Sequence, residues 1–308
     1  MELRQIQYFI RVVESGSMGK AAMTLDVTTS TLSQQISRLE SELSTRLLQR
    51  KSTGVVPTGA GLEFLRHARA ICDHVERASS ATRSERLSGK VSIGMAPTTA
   101  LKLALPLLTE MQKRYPKIRV QIVEGLSAHL TSLLDTRRLD LSMRFDIGED
   151  PRMSVLPLLK ERLFVIGSKT LPNMPRGKNV SLDQIPSLPL ILPTGRHTLV
   201  SIIINAFNSR NIRPNITLEI DGLNTLMNAV QHGLGATIHP SSAMALIHDE
   251  NIVSIPIADK TLFRCTILTG PPDEELSPAA LATRVVLKDV VRTLIRDGLW
   301  EGATLQFT

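Results

Sequence analysis

Cysteine is nearly absent from this chain, and the two that occur, Cys72 and Cys265, are far apart with no CxxC spacing. That argues against a disulfide framework and against a cysteine-held zinc site. No apolar run approaches the roughly 20 residues of a membrane span. The opening Met-Glu-Leu-Arg-Gln lacks the apolar core of a signal peptide. A cytoplasmic protein that makes no use of a membrane is the simplest expectation. Catalytic signatures are missing as well: there is no GxSxG, Walker or HExxH motif. Gly233-Leu-Gly235 precedes an expected strand, whereas a dinucleotide fingerprint follows one. His197, His232, His239 and His248 lack the close spacing of metal ligands. No enzyme chemistry, metal or cofactor is expected.

What is present is a basic surplus concentrated at one end. Of a net charge of +7, residues 1–90 hold 13 Lys/Arg against 9 Asp/Glu, a surplus of 4 that leaves 3 for the other 218 residues. A nucleic-acid module at the N-terminus would distribute charge this way. At 308 residues the chain is long enough for two domains.

The stretch 28–43, TTSTLSQQISRLESEL, has Leu32, Ile36, Leu39 and Leu43 at three- and four-residue steps, an apolar helical stripe. Thr28, Thr29, Ser30, Thr31, Ser33, Gln34, Ser37 and Arg38 cover the rest with short donors, acceptors and a guanidinium, a face suited to base edges and phosphates. An ordinary solvated helix would have the same pattern. Upstream, residues 18–25 form a short helix with Ala21, Ala22 and Leu25 inward. Asp26-Val27-Thr28 breaks the chain, with Thr28 or Thr29 as N-cap. Helix, tight turn and polar-faced helix make the helix-turn-helix pattern. Residues 3–15 supply a supporting helix that ends at Gly16. After it, Arg46, Arg50 and Lys51 gather around Ser52-Thr53-Gly54, and Val55-Val56 can pair back as a strand. Such a hairpin reads as a wing reaching sugar-phosphate, or as a solvated basic loop.

Residues 58–87 read as one long helix. Leu65, Ala68, Cys72, Val75 and Ser79 are spaced close to a heptad seam. At 1.5 Å per residue it would be a rod of about 45 Å, read as a dimerisation helix and linker or as a helix lying on its own chain. Beyond residue 90 strands and helices alternate, which implies parallel sheets covered by helices. Strands are expected at 90–95, 119–124, 139–144, 155–160, 162–166, 188–192, 216–220, 236–238, 252–255 and 262–268. Helices are expected at 99–115, 126–136, 198–211, 223–232, 241–247 and 278–298, the last able to pack back on the first.

Together these residues resemble the LysR-type transcriptional regulators of bacteria. The matching pieces are Leu3-x-x-Ile6-x-x-Phe9, Glu14-Ser15-Gly16-Ser17, Ala21-Ala22-x-x-Leu25, Thr31-Leu32-Ser33-Gln34-Gln35-Ile36, Leu39-Glu40-x-x-Leu43, Leu48-x-Arg50 and Val56-Pro57-Thr58-x-Ala60-Gly61. Within the family the chain is similar to the branch of nitrogen assimilation regulators. The resemblance implies an all-α winged helix-turn-helix N-terminal domain (1–58) and a linker/dimerisation helix (59–89). It further implies an α/β periplasmic-binding-protein-like C-terminal effector domain of two lobes (90–308). It implies a homodimer or homotetramer, with double-stranded DNA, a small-molecule effector and RNA polymerase as partners. Ser33 and Gln34 would face DNA and Arg50 would be the wing cation. Where the family commonly has Gln-Pro or Gln-Ser early in the reading helix, this chain has Thr29-Ser30. A threonine cannot make glutamine's bidentate contact to adenine.

Two later loops combine hydroxyls with a helix start: Met95-Ala96-Pro97-Thr98-Thr99 and Thr194-Gly195-Arg196-His197-Thr198. Unpaired amides there would suit a carboxylate, and Arg144 and Arg196 could add a bidentate grip. The expected effector set is Pro97, Thr98, Thr99, Arg144, Thr194, Arg196 and His197. Taken singly, the threonines read equally as helix caps. The competing class is a small-molecule binding protein or enzyme with an incidental N-terminal helical bundle.

Overall fold

The computed structural model describes residues 1–51, 54–81, 87–145, 152–195, 197–259 and 261–307, with the backbone alone at 73, 76, 77 and 79–81. It divides into two compact units, residues 1–86 with 132–138 and residues 87–131 with 139–308. In the first, α1 (Leu3–Ser15) starts where the Gln5 side chain accepts from the Glu2 amide at 2.8 Å. It ends at Gly16, whose φ of +60° suits glycine. Ser17 caps α2 (Met18–Thr24). Thr28 caps α3 (Thr29–Glu42), its hydroxyl oxygen accepting from the Thr31 amide at 3.1 Å. β1 (Leu48–Lys51) and β2 (Gly54–Pro57) pair antiparallel, Leu48 opposite Pro57 and Lys51 opposite Gly54, so the winged unit holds a small sheet beside its helices. α4 (Gly59–Ala81) follows.

The core of this unit joins Ile6, Phe9, Leu32, Ile36, Leu39 and Leu47 to Leu65 and Ala68 of α4. Phe9 meets Phe64 edge-on with ring centroids 5.1 Å apart. The expected seam on α4 is therefore divided. Leu65 and Ala68 are consumed by their own core, Cys72 packs against it, and Val75 is exposed; the Ser79 side chain lies outside the described residues. Of the helix expected over 58–87, α4 is described to Ala81, and Leu87 already lies in a bend.

From residue 87 onward the chain runs β3 (Gly89–Met95), α5 (Pro97–Arg114), β4 (Ile118–Glu124), α6 (Ser127–Asp135), β5 (Leu141–Arg144), β6 (Ser154–Arg162), β7 (Phe164–Ser168), β8 (Leu190–Leu192), α7 (Thr198–Asn208), β9 (Ile216–Glu219), α8 (Leu223–Gln231), β10 (Thr237–His239), β11 (Ile252–Pro256), β12 (Phe263–Gly270), α9 (Pro278–Arg296) and β13 (Ala303–Leu305). One sheet has the order β13-β6-β12-β5-β3-β4. α5 and α9 pack with its strands in one core that includes Val91, Ile93, Leu103, Leu107, Val286 and Trp300. The other is β10-β7-β11, reached from the β8-β9 pair by a parallel bridge between Leu190 and Ala236. Val165 of β7 packs into a core with α7, and Phe164 and Ile166 into a core with α8. A strand buried on both faces reads as an unbroken apolar run.

The expectation of parallel sheets holds only in part. β3 is parallel to β4 and β5, but β12 is antiparallel to β5 and β6, and β7 is antiparallel to both its neighbours. Antiparallel partners need no crossover helix, so alternation along the chain could not reveal them. The strand expected at 162–166 is displaced: Arg162 ends β6, and β7 starts at Phe164. The helix expected at 241–247 is a 3-10 helix, Ser241–Leu246, and β13 was not expected. The final helix does pack on α5, as anticipated.

Candidate functional site

The first unit presents one face. Thr28, Thr29, Ser30, Thr31, Gln34 and Arg38 of α3 and its cap are exposed, and Ser33 is half-buried beside them. Arg50 and Lys51 are exposed on β1; Ser52 and Thr53 at the tip lie outside the described residues. The hairpin is fastened to α3 by Glu40, an acid on the buried side of the helix. Its Oε1 accepts from the amides of Leu47 (2.8 Å) and Leu48 (2.9 Å), and its Oε2 accepts from Arg46 (3.0 Å). On the other side, the Val55 amide donates to the Gly16 carbonyl at 2.9 Å. In the sequence Glu40 figures only as part of a matching motif, with no role of its own. Its signal was parity: it follows Ile36 by four residues and so lies close to the apolar stripe.

The second unit contains a cavity of about 290 Å³. Its walls follow the carboxyl ends of the strands, the usual place for ligands in α/β sheets. Ala96, Pro97 and Thr98 follow β3, Leu126 to Ala128 follow β4, and Phe145 follows β5; Pro193 and His197 follow β8, Asp221 follows β9, and His239 ends β10. The two loops singled out from the sequence thus converge, through Pro97, Thr98 and His197. Of the other expected residues, Thr99, Arg144 and Thr194 do not line it. Thr99 is fully buried behind Thr98. Arg144 is buried with its guanidinium donating to the Thr131 hydroxyl. Thr194 supports the wall: its amide donates to an Asp221 carboxylate oxygen at 2.8 Å. Amide and hydroxyl of Thr194 hold the Asp221 carboxyl below the ordinary carboxylate range. Arg196 lies outside the described residues.

Two of the lining residues that escaped the sequence reading as candidates for this cavity carry its buried polar chemistry. Arg264 on β12 is 2% exposed. Its Nε and Nη2 donate to Oε2 of the equally buried Glu161 (3.1 and 2.6 Å), its Nη1 donates to the Thr98 hydroxyl (3.0 Å), and it stacks on Phe145, 3.7 Å from the ring centroid. Glu161 Oε1 accepts from the Trp300 indole at 2.9 Å. A buried pair bonded this fully is neutral overall. The second is His239, 4% exposed, whose ring nitrogens have no hydrogen-bond partner among the described residues. Burial, reinforced by Arg264 and His197, pushes its pKa down to about 3, so the ring is neutral at pH 7. His197 Nε2 lies 3.2 Å from Asp221 but is not aligned as a hydrogen bond. Among the described residues no cluster of His, Cys, Asp or Glu is arranged to hold a metal, and no helix is long and apolar enough to cross a membrane.

Comparison with known proteins agrees with this division of labour. Residues 3–62 match the family model for bacterial regulatory helix-turn-helix proteins of the lysR family, and residues 84–292 match the LysR substrate binding domain. The Nitrogen assimilation regulatory protein nac of Escherichia coli is 32% identical over 301 residues, 96% of this chain and 97% of that protein. The Klebsiella aerogenes protein of the same name is 32% identical over 94% of this chain and 95% of its own. In three dimensions, full-length OxyR from Pseudomonas aeruginosa, 20% identical, superposes with a TM-score of 0.80 over 100% of this chain and 99% of its own. The chain therefore belongs to the LysR family, and is a DNA-binding transcriptional regulator with an effector-binding domain rather than an enzyme.

Proposed function

We propose that α3 enters the major groove N-terminus first, with Thr28, Thr29, Ser30, Thr31, Ser33, Gln34 and Arg38 toward the bases and phosphates. Arg50 and Lys51 of the wing then contact the sugar-phosphate backbone. Residues 1–58 serve as the reading domain, 59–89 as linker and dimerisation helix, and 90–308 as the effector domain. The exposed Leu62 and Val75 give α4 apolar surface for a partner helix. Two protomers, or two pairs, would read an inverted repeat and govern access or recruitment of RNA polymerase. The observation that carries the DNA assignment is the concentration of exposed hydroxyl, amide and cationic groups on one helix and the adjoining hairpin. In a gel shift on the chain's own upstream intergenic DNA, binding should weaken steeply with salt. It should fall several-fold in Arg50→Ala. An Arg50→Ala, Ser33→Ala double variant that binds as wild type does overturns the contact assignment.

The effector is a small carboxylic acid held in the cavity. First-turn residues of four helices line it: Thr98 of α5, Ser127 of α6, Thr198 of α7 and Leu223 of α8. Each brings the positive end of a helix dipole and unpaired amides. Pro97, Thr98 and His197 form one wall. Thr99, Arg144 and Thr194 stand behind it, and Arg196 immediately precedes His197 in the sequence. Small acids should raise the melting temperature of the wild type. Thr98→Val should lose most of that shift; a variant that keeps it would remove the α5 start from the site.

A further inference from the structure

We infer that His239 makes the cavity select acids that carry, beside the carboxylate, a neutral hydrogen-bond donor such as a hydroxyl or a primary amide, over the same skeleton without it. This rests on the reading of the cavity as an acid site and adds which acids it admits.

The ring belongs to a strand end, His239 pairing across from Phe164 of β7, and it lines the cavity at 4% exposure. Both nitrogens lack a hydrogen-bond partner among the described residues. Buried polar atoms are almost always bonded, so two unpartnered nitrogens on one ring that lines a cavity mark a place where a bound molecule supplies the bonds. The ring is neutral, so one nitrogen donates and the other accepts, whichever tautomer is present. A carboxylate only accepts. It can serve the N–H and must leave the lone pair of the other nitrogen unmet, so the acceptor nitrogen requires a donor from the ligand.

That donor must be uncharged. The burial that chiefly opposes a proton on His239, with Arg264 adding to it, would oppose an ammonium in the same place. Arg264 itself does not compete for the ligand's charge as a bare cation would, since Glu161 and Thr98 already take its Nε, Nη1 and Nη2. The lining thus combines the neutral His239 ring, the internally bonded Arg264, apolar walls at Ala96, Leu199 and Leu226, and the Asp221 carboxylate, while the helix starts serve the ligand's carboxylate. A volume of about 290 Å³ is near the small end of ligand sites, about 300–1,000 Å³, and restricts the choice to small metabolites.

The test uses the full-length protein and matched pairs: propionate and lactate, succinate and malate, succinate and succinamate, phenylacetate and mandelate. Melting shifts locate binders and calorimetry gives Kd. At least one donor-bearing member should bind at least tenfold more tightly than its unsubstituted counterpart. His239→Leu should bring that ratio within twofold, with the unliganded protein melting no lower than wild type. His239→Gln, which keeps a donor and an acceptor, should retain most of the preference. His239→Met repeats the comparison should leucine misfit. Equal binding of both members, or a preference that survives His239→Leu, overturns the role of His239 and leaves the acid site standing. If no acid of either kind binds, the acid site falls and this inference falls with it.

Discussion

Glu40 holds the hairpin through backbone amides rather than through its ion pair. The two amide bonds are buried or partly so, while the Arg46 side chain is 82% exposed. Hydrogen bonds to a charged acceptor contribute about 1.5–3 kcal/mol each, an exposed ion pair about 1 or less. Glu40→Ala should therefore destabilise the first unit by about 3 kcal/mol in urea titration followed by circular dichroism, and Arg46→Ala by less than about 0.5. Equal losses in the two variants would make the ion pair the fastener. His239 offers a second measurement. Its folded pKa, pushed to about 3, lies below the value of about 6.5 in an unfolded chain. Below pH 6.5 the unfolded chain binds a proton that the folded chain refuses. The ring's contribution is thus complete above that pH and lost as pH falls from 6.5 toward 3, at up to about 1.4 kcal/mol per unit. The melting temperature of His239→Gln should fall less than that of wild type between pH 7 and 5. Parallel curves would mean that the buried ring is not what titrates.

At the scale of elements, the joint between wing and α4 depends on close approach of two backbones. A Cβ on Gly61 would stand 2.0 Å from the Leu47 carbonyl oxygen, whereas one on Gly59, two residues earlier, meets nothing within 4 Å. Gly61→Ala should cost about 2 kcal/mol or more. Gly59→Ala should be neutral or stabilising by up to about 1 kcal/mol. Thermal melts of the pair separate a packing demand from a general need for glycine, and similar effects would refute the joint. The first unit was legible in sequence because its signals are local: the Thr28 cap, the Leu32-Ile36-Leu39 stripe and the Gly16 stop all act within a few residues. So was the convergence of the Pro97-Thr98 and His197 loops, since both follow strands. Arg264 was not legible as part of the site because its partners Glu161 and Thr98 are 103 and 166 positions away. A trace of it existed, for Arg264 shares parity with Thr266 and Leu268 on a strand whose inward face is buried. An inward arginine must find an acid, but which acid depends on β12 running antiparallel to β6, and no alternation of elements encodes that pairing. The divided seam of α4 was hidden for a similar reason: spacing shows that Leu65, Ala68 and Cys72 share a face but not whose core that face meets.

At the scale of the whole molecule, one chain carries a DNA-reading unit and a ligand cavity, and a regulator works only if the two equilibria are linked. A ligand that binds two conformations equally shifts nothing, however tight it is. If an acid in the cavity changes operator affinity by some factor, operator DNA must change the affinity for that acid by the same factor, because both are edges of one thermodynamic cycle. Typical couplings are about 1–3 kcal/mol, or roughly 5–150-fold. For the tightest-binding acid of the matched pairs, we expect the ratio of its Kd with and without saturating operator DNA to equal, within error, the ratio of operator Kd with and without the acid. Arg50→Ala should weaken DNA binding and lower its salt slope by about one while leaving that ratio unchanged, as expected if the wing makes, as proposed, a phosphate contact common to both conformations. An acid that binds the cavity tightly with a ratio of one would be a passive ligand, and control of transcription would then have to enter the molecule by another route.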